Sequence, residues 1–216
     1  MNLTLFFDTE TSGMKLDGVR ASDPRQPHIV SFSALVLDEN WNEITSQSAI
    51  IRQDGWESEP GATAIHGITK ERSLVDGIPE IEAAEILHGM IAQASRVVAH
   101  NIQFDSFIVR VALRRYGLLK GDSDTEGTSI PWAIKGKEFC TMWATTQLCK
   151  LPGKYTGRYK WPKLKEACEI LLKETVQEGN HDAIEDVHAC SRLYRWLCEN
   201  GHGPKALLLS GLAGCS

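Results

Sequence analysis

The sequence has no long apolar run, no surplus of basic residues and no low-complexity segment. None of its apolar stretches approaches the roughly 20 residues that span a bilayer, and its first ten residues, MNLTLFFDTE, contain no basic leader. We therefore expect no membrane span, no secretory signal peptide and a cytoplasmic location. The net charge of −5 argues against a protein that coats nucleic acid nonspecifically, although a local field at an active site can differ from this average.

Paired cysteine motifs are also absent. The six cysteines all lie in the C-terminal half, and none forms a CxxC pair. Without a secretory signal they are expected to be reduced and to act mostly as small apolar residues. A zinc site is not expected. These positions are Cys140, Cys149, Cys168, Cys190, Cys198 and Cys215.

What remains is the composition of an ordinary globular domain. A chain of 216 residues with 42% hydrophobic and 24% charged residues is long enough for one sizeable core. We predict a single domain over residues 1–200 and a C-terminal tail over residues 201–216.

The order of apolar patterns predicts an α/β fold. Leu3–Phe7, residues 28–38 and residues 43–52 are predicted strands in an antiparallel meander, with a turn at residues 38–40. Residues 13–27 form a long polar loop of the kind that often has a function. Helices and short strands then alternate, which favours a mixed sheet with helices packed on it. The predicted elements are helix 79–94, strand 96–100, helix 101–117, strand 138–140, a helix to about Cys149, helix 161–173 with Pro162 at its first position, and helix 183–200.

The segment LTLFFDTETSG, residues 3–13, places two acids at the end of a buried strand. Residues two apart on a strand share a face, so Asp8 and Glu10 would repel each other unless a cation lay between them. The alternative is that the strand ends at Phe7 and Asp8 begins a solvated turn.

Two further segments carry acids at helix starts. Asp105 in HNIQFD follows a strand and opens a helix, where it is either a functional group or a complement to the helix dipole. In NHDAIEDVHAC, Asp182 and Glu185 fit a capping box. His181 and Asp186 then occupy the two positions that a hydrophobic staple normally joins. The alternative is a solvated helix start with a surface histidine.

These acids can meet if the first strand, the strand after residue 96 and the last helix converge at one end of the sheet. Four carboxylates without cysteine suit Mg²⁺ or Mn²⁺ better than zinc. A nearby histidine could take a proton from an attacking water. The four acids are Asp8, Glu10, Asp105 and Asp186, and the histidine is His181.

The segments FFDTETSG, HNIQFD and HDAIED, in this order, resemble the three motifs of the DEDD superfamily of 3′→5′ exonucleases. The histidine five residues before the last aspartate is typical of the DEDDh branch, which includes the proofreading epsilon subunits of bacterial DNA polymerase III. AIHGIT, residues 64–69, also resembles a segment of that branch. The likeness extends over residues 6–190.

The resemblance implies an RNase H-like fold, with a five-stranded mixed β-sheet flanked by α-helices. It implies two Mg²⁺ or Mn²⁺ ions held by the four acids, with Asp8 bridging them and His181 as general base. The implied reaction hydrolyses the terminal phosphodiester of single-stranded DNA or frayed 3′ ends and releases nucleoside 5′-monophosphates. Substrate contacts are expected from Thr9, Thr11, His66, Asn101 and Phe104, although His66 could be a turn residue and Phe104 a core residue.

A basic and aromatic segment separates the second and third motifs. Six basic residues and no acid occur between Lys150 and Lys165, interleaved with Tyr155, Tyr159 and Trp161. This pattern suits a single strand, whose bases stack on aromatics while its phosphates meet cations. The alternative is an exposed loop whose Trp161 packs on the core.

Three other functions stay open at this point. The same chemistry could act on short RNA, as in oligoribonuclease-like relatives. The domain could bind nucleic acid without cleaving it, or hydrolyse free nucleotides. We expect single-stranded nucleic acid with a free 3′ end as the partner, DNA before RNA. No residue motif supports a polymerase partner.

Overall fold

The computed structural model of the chain describes residues 2–119, 137–155, 157–175 and 183–204. Within them lies a five-stranded sheet in the order β3-β2-β1-β4-β5. The β1–β2 and β2–β3 pairs are antiparallel, whereas β1–β4 and β4–β5 are parallel. The predicted meander and mixed sheet are confirmed. The strands are β1 Thr4–Thr11, β2 Ile29–Leu37, β3 Glu43–Ile50, β4 Arg96–Ala99 and β5 Glu138–Cys140.

Helices cover both faces of this sheet. The predicted helices after β3, β4 and β5 and the last helix are confirmed, with ends shifted by a few residues at most. Two seven-residue helices, α1 and α2, were not predicted. The helices are α1 Pro60–His66, α2 Lys70–Asp76, α3 Glu80–Gln93, α4 Ile102–Arg115, α5 Thr141–Cys149, α6 Leu164–Ala167 with a π-helical turn at Cys168–Leu172, and α7 Ala183–Glu199.

The central strand β1 divides the core into two layers. Leu5 and Phe7 pack in the cluster that contains the buried residues of α3 and α4. Phe6 points to the opposite face and packs against Val187 and Tyr194 of α7. This alternation is the period of two that a strand buried on both faces must have. Residues at even positions of β1 therefore face the layer of α7.

The start of α6 differs from the prediction. The helix begins at Leu164, so Pro162 precedes it and is not at its first position. Glu166 accepts a hydrogen bond from the Lys163 amide at 2.8 Å. This bond fixes Lys163 as the N-cap residue that precedes the helix. The Pro162 carbonyl is bound instead by the His100 ring, at 2.9 Å.

A buried carboxylate anchors the end of the long loop before β2. Glu80, at the start of α3, accepts hydrogen bonds from the Ile29 amide at 2.9 Å and from Arg115 at 2.9 and 3.1 Å. His28 Nδ1 lies 2.7 Å from its other oxygen. Burial alone would raise the pKa of Glu80, but the His28 hydrogen bond and the Arg115 charge outweigh it and hold the pKa below 4.5. The network fixes α3 and α4 to the entry of β2.

Some predictions concern residues beyond the described ranges. The five described cysteines are free thiols, as predicted, and Cys215 lies outside the described residues. So do residues 205–216 of the proposed tail, and the domain boundary at residue 200 stays a prediction. Among the described helices, none has the length and apolar character needed to cross a membrane.

Candidate active site

Strand β1 carries the first two acids on one face. Its pairing with β4 ends at Phe6, but the strand itself continues to Thr11, so the alternative that it ends at Phe7 is wrong. Asp8 and Glu10 follow Phe6 on the same face, at the carboxyl end of the strand. On β2, Ser33 pairs with Asp8 and Ser31 pairs with Glu10.

The third acid reaches this strand from α4. Asp105 lies in the first turn of α4 and is only 3% exposed. Its Oδ1 accepts hydrogen bonds from the Thr9 amide at 3.0 Å and from the Thr9 hydroxyl at 2.8 Å. The chain reverses from β4 into α4 at Asn101, which has a left-handed backbone with φ of 79°. This turn places the N-terminus of α4 beside the end of β1.

The fourth acid, Asp186, lies in the first turn of α7. Burial raises the pKa of Asp8 well above its usual 3.8, and the charges of Asp105, Glu10 and Asp186 raise it further. Burial also raises the pKa of Asp105, to about 7, although both Thr9 hydrogen bonds lower it. We call the sheet edge that these acids share the carboxylate edge. There the charges of Asp105, Glu10 and Asp186 make ionisation of Asp8 more costly.

The donor set of the carboxylate edge suits a hard divalent cation. Carboxylate oxygens are the ligands that Mg²⁺ and Mn²⁺ prefer, whereas zinc favours nitrogen and sulfur. Among the described residues, however, no group of three or more His, Cys, Asp or Glu side chains is arranged as a metal site.

A cavity of about 240 Å³ adjoins Glu10. Residues of β2 and β3 and of the segment around α1 and α2 line it. His66, the last residue of α1, is buried, and its Nδ1 accepts the Ile68 amide at 3.0 Å. His66 therefore belongs to a helix and lines this cavity. The lining residues are Glu10, Ser31, Phe32, Ser33, Ser48, Ala49, Ile50, His66, Ile68 and Arg72.

The polar lining of this cavity was not predicted from the sequence. The hydroxyls of Ser33 and Ser48 lie 2.7 Å apart, and Ser31 lies two residues along the same face. The available signal was the pair of serines alternating with apolar residues in VSFSALVL. Arg72 had no signal, because its position depends on α2.

The other predicted substrate residues are spread around this edge. Thr9 is buried against Asp105, and the Thr11 hydroxyl donates to the Gly13 carbonyl at 2.8 Å. Phe104 is partly buried against the core, which leaves its core and substrate roles compatible. Asn101 makes the turn into α4. Tyr159 and Trp161 lie on a separate exposed segment. His181 and Asp182 lie outside the described residues.

Comparison with known proteins supports the likeness that the three motifs indicate. The family model for the RNase T domain, described as an exonuclease, matches residues 5–194. A search of curated proteins found no match. Solved structures match this chain well in fold, but their sequence identity to it is low. The likeness therefore shows the fold alone.

Several of the similar solved structures are forms of exonuclease I. The Escherichia coli enzyme in complex with a dT13 oligonucleotide is 20% identical, with a TM-score of 0.68 over 91% of this chain and 41% of that chain. The enzyme from Methylocaldum szegediense is also 20% identical, with a TM-score of 0.66 over 97% and 43%. A zinc-bound complex of the E. coli enzyme with single-stranded DNA is 19% identical, with a TM-score of 0.69 over 97% and 43%.

This chain therefore spans less than half of the length of those exonuclease I chains. The five-stranded mixed sheet flanked by helices is the RNase H-like arrangement that they share. The family match covers most of the chain, including all three segments that carry acids. The chain belongs to the RNase T family of exonucleases, within the DEDD superfamily.

Proposed function

We propose that this chain is a divalent-metal-dependent 3′→5′ exonuclease of the DEDDh branch that acts on single-stranded DNA or frayed 3′ ends. One observation carries the proposal: the charges of acids from β1, α4 and α7, together with burial, raise the pKa of Asp8. Such crowding is unfavourable in a domain that only binds, and it becomes favourable when cations occupy the edge. The 3′→5′ polarity rests on the motif likeness.

The proposed ligands are Asp8, Glu10, Asp105 and Asp186, with Asp8 shared between two ions. Mg²⁺ or Mn²⁺ bound there would neutralise the phosphate and stabilise charge on the attacking and leaving oxygens. Thr9 fixes the Asp105 carboxylate through two hydrogen bonds, both to Oδ1. Neither bond engages Oδ2 of the same carboxylate.

The proposed reaction needs a base for the nucleophile. His181, five residues before Asp186, is assigned the removal of a proton from the attacking water. The water oxygen bonds to the terminal phosphorus, and the bond from phosphorus to the 3′ oxygen of the preceding nucleotide breaks. The products are a nucleoside 5′-monophosphate and a strand shorter by one nucleotide, whose 3′ oxygen takes up a proton from solvent and becomes a hydroxyl.

The cavity beside Glu10 is assigned to the terminal nucleoside. Its serine hydroxyls and His66 supply polar groups, while Ile50 and Ile68 supply apolar surface. Thr11, Asn101 and Phe104 remain proposed contacts of the same nucleotide, since they belong to the elements that end at this edge. DNA is favoured because solved relatives of this fold were crystallised with DNA oligonucleotides.

The test is cleavage of a 5′-labelled single-stranded DNA oligonucleotide with Mg²⁺ or Mn²⁺. Wild type is expected to give a ladder of products shortened from the 3′ end, and nucleoside 5′-monophosphates by chromatography. Asp8→Asn is expected to lose at least about a hundredfold in rate, as removal of key electrostatic groups commonly does. Glu85→Gln, an exposed acid on α3, is the matched control.

Three results would contradict the proposal. Cleavage by Asp8→Asn at the wild-type rate would remove the assigned site. A strong preference for a matched RNA oligonucleotide would replace DNA by short RNA as the substrate. Binding of DNA without cleavage under any divalent cation would indicate a non-catalytic domain.

A further inference from the structure

Residues 150–155 and 157–163, which we call the basic hairpin, make backbone contacts that the reaction above does not use. Pro152 and Tyr159 form an antiparallel bridge. The Gly153 amide donates to the Arg158 carbonyl and the Lys160 amide to the Leu151 carbonyl, each at 3.0 Å. A Cβ at Gly153 would lie only 2.4 Å from the Arg158 carbonyl oxygen, so this crossing requires glycine. The backbone bonds give the hairpin a fixed shape.

The basic hairpin presents three aromatic side chains to solvent. Tyr155 is 67% exposed, Trp161 65% and Tyr159 39%. The alternative that Trp161 packs on the core is therefore wrong. Large exposed aromatics are unfavourable in water, and rings on a fixed backbone are typical of surfaces on which bases stack.

The same hairpin is positively charged within an acidic protein. Lys154 lies over the Tyr155 ring, with its Nζ 5.9 Å from the centroid. Lys160 is neutralised by Glu166 at 2.5 Å. Lys154 and Arg158 are both exposed, and no acid lies between Lys150 and Lys165. This charge is complementary to a phosphate backbone.

The base of the hairpin is joined to the carboxylate edge. Pro162, next to Trp161, accepts a hydrogen bond from His100 Nε2 at 2.9 Å. Because a carbonyl only accepts, this nitrogen carries the proton, and Nδ1 lies 3.0 Å from the Thr141 hydroxyl oxygen. His100 directly follows β4 and lies five positions before Asp105. The hairpin thus starts from the sheet edge at which the proposed reaction occurs.

We propose that Tyr155, Tyr159 and Trp161 form a stacking platform for single-stranded nucleotides on the 5′ side of the cleaved bond, with Lys154 and Arg158 meeting their phosphates. This inference rests on the proposed function, because a strand whose 3′ end lies at the carboxylate edge must leave across a neighbouring surface. Stacking uses the face that every base has, so the platform favours longer strands without selecting a base sequence.

The test compares a DNA dinucleotide with a thymidine 12-mer. The double variant Tyr159→Ala/Trp161→Ala is expected to lower kcat/KM on the 12-mer by about fivefold or more per ring beyond any loss on the dinucleotide. Trp161→Phe keeps an aromatic ring at this position, so it should retain most of the wild-type kcat/KM on the 12-mer. Trp143→Ala is the matched control, since Trp143 is 48% exposed on α5 and lies outside the hairpin. Equal losses on both substrates would overturn the platform.

Binding is measured separately by fluorescence anisotropy of the labelled 12-mer in the Asp8→Asn background. The double variant should weaken binding by a similar factor, and Lys154→Ala/Arg158→Ala should reduce the slope of log K against log salt by about 1.4, at about 0.7 per charge on single strands. Unchanged affinity and slope would refute the platform. Absence of cleavage by wild type would refute only the proposed function, because this binding measurement does not need it.

Discussion

Replacing Asp105 by asparagine tests the cost of burying the Asp105 charge at the carboxylate edge. The amide oxygen of asparagine can still accept both Thr9 hydrogen bonds, so the substitution removes the charge and keeps the contacts. The pKa of Asp105 is about 7 in the folded protein and ordinarily 3.8. This difference of about three units, at 1.36 kcal/mol each, makes the ionised group unfavourable in the fold on the order of 4 kcal/mol.

The sign follows from the raised pKa. Below about pH 4 the carboxyl group is mostly protonated in both folded and unfolded chains, and it costs nothing. Above pH 7 it is ionised in both, and the full cost lowers the free energy of unfolding of the wild type. Asp105→Asn should therefore be more stable than wild type by about 4 kcal/mol at pH 8 without metal, and the difference should approach zero near pH 4.

The assay is urea denaturation in a metal chelator at several pH values between 4 and 8. Glu85→Gln on α3 is the control and should change stability by less than about 0.5 kcal/mol at each pH. Saturating Mg²⁺ should then stabilise wild type more than Asp105→Asn, because binding to the folded state adds stability. Equal stability of Asp105→Asn and wild type at pH 8, or a difference independent of pH, would refute this cost of burying the charge.

Two other substitutions test neighbouring contacts. Thr9→Val removes the hydroxyl bond to Asp105 and should lower exonuclease activity at least about tenfold, whereas Thr9→Ser should retain most of it; equal rates for both variants would contradict a positioning role. Glu80→Gln leaves the Arg115 guanidinium without a buried counter-charge and should cost about 3 kcal/mol in urea denaturation at pH 7. Glu82→Gln, exposed on the same helix, is its control, and equal losses would contradict the network.

The local parts of the site were predictable from the sequence. Asp8 and Glu10 are two apart in an apolar run, and strand geometry alone puts them on one face. Asp105 follows a short buried strand and opens an amphipathic helix. Both inferences need only the few residues around each acid, and the structure agrees with them.

Other features depend on how neighbouring segments fold together. The sequence left Trp161 either as a stacking residue or as a core residue, and its exposure is decided by the hairpin with the bridge at Pro152 and Tyr159. Pro162 fits the first position of a helix, but its carbonyl is bound by His100, the residue that follows β4. α1 was missed because seven residues are too few for a clear apolar period, although Pro60 and Gly67 mark its two ends.

The two bonds between Thr9 and Asp105 have a consequence for how this protein can diverge. The pairing of β1 with β4 ends at Phe6. Beyond that point the Asp105 carboxylate of α4 accepts the hydrogen bond of the Thr9 amide, in place of a backbone carbonyl from a neighbouring strand. An inactive descendant released from selection for catalysis would still need an oxygen at position 105 to complete its sheet. Persistence of aspartate or asparagine there in a homologue is therefore weak evidence of activity, and the acids at positions 8, 10 and 186 are the more informative ones.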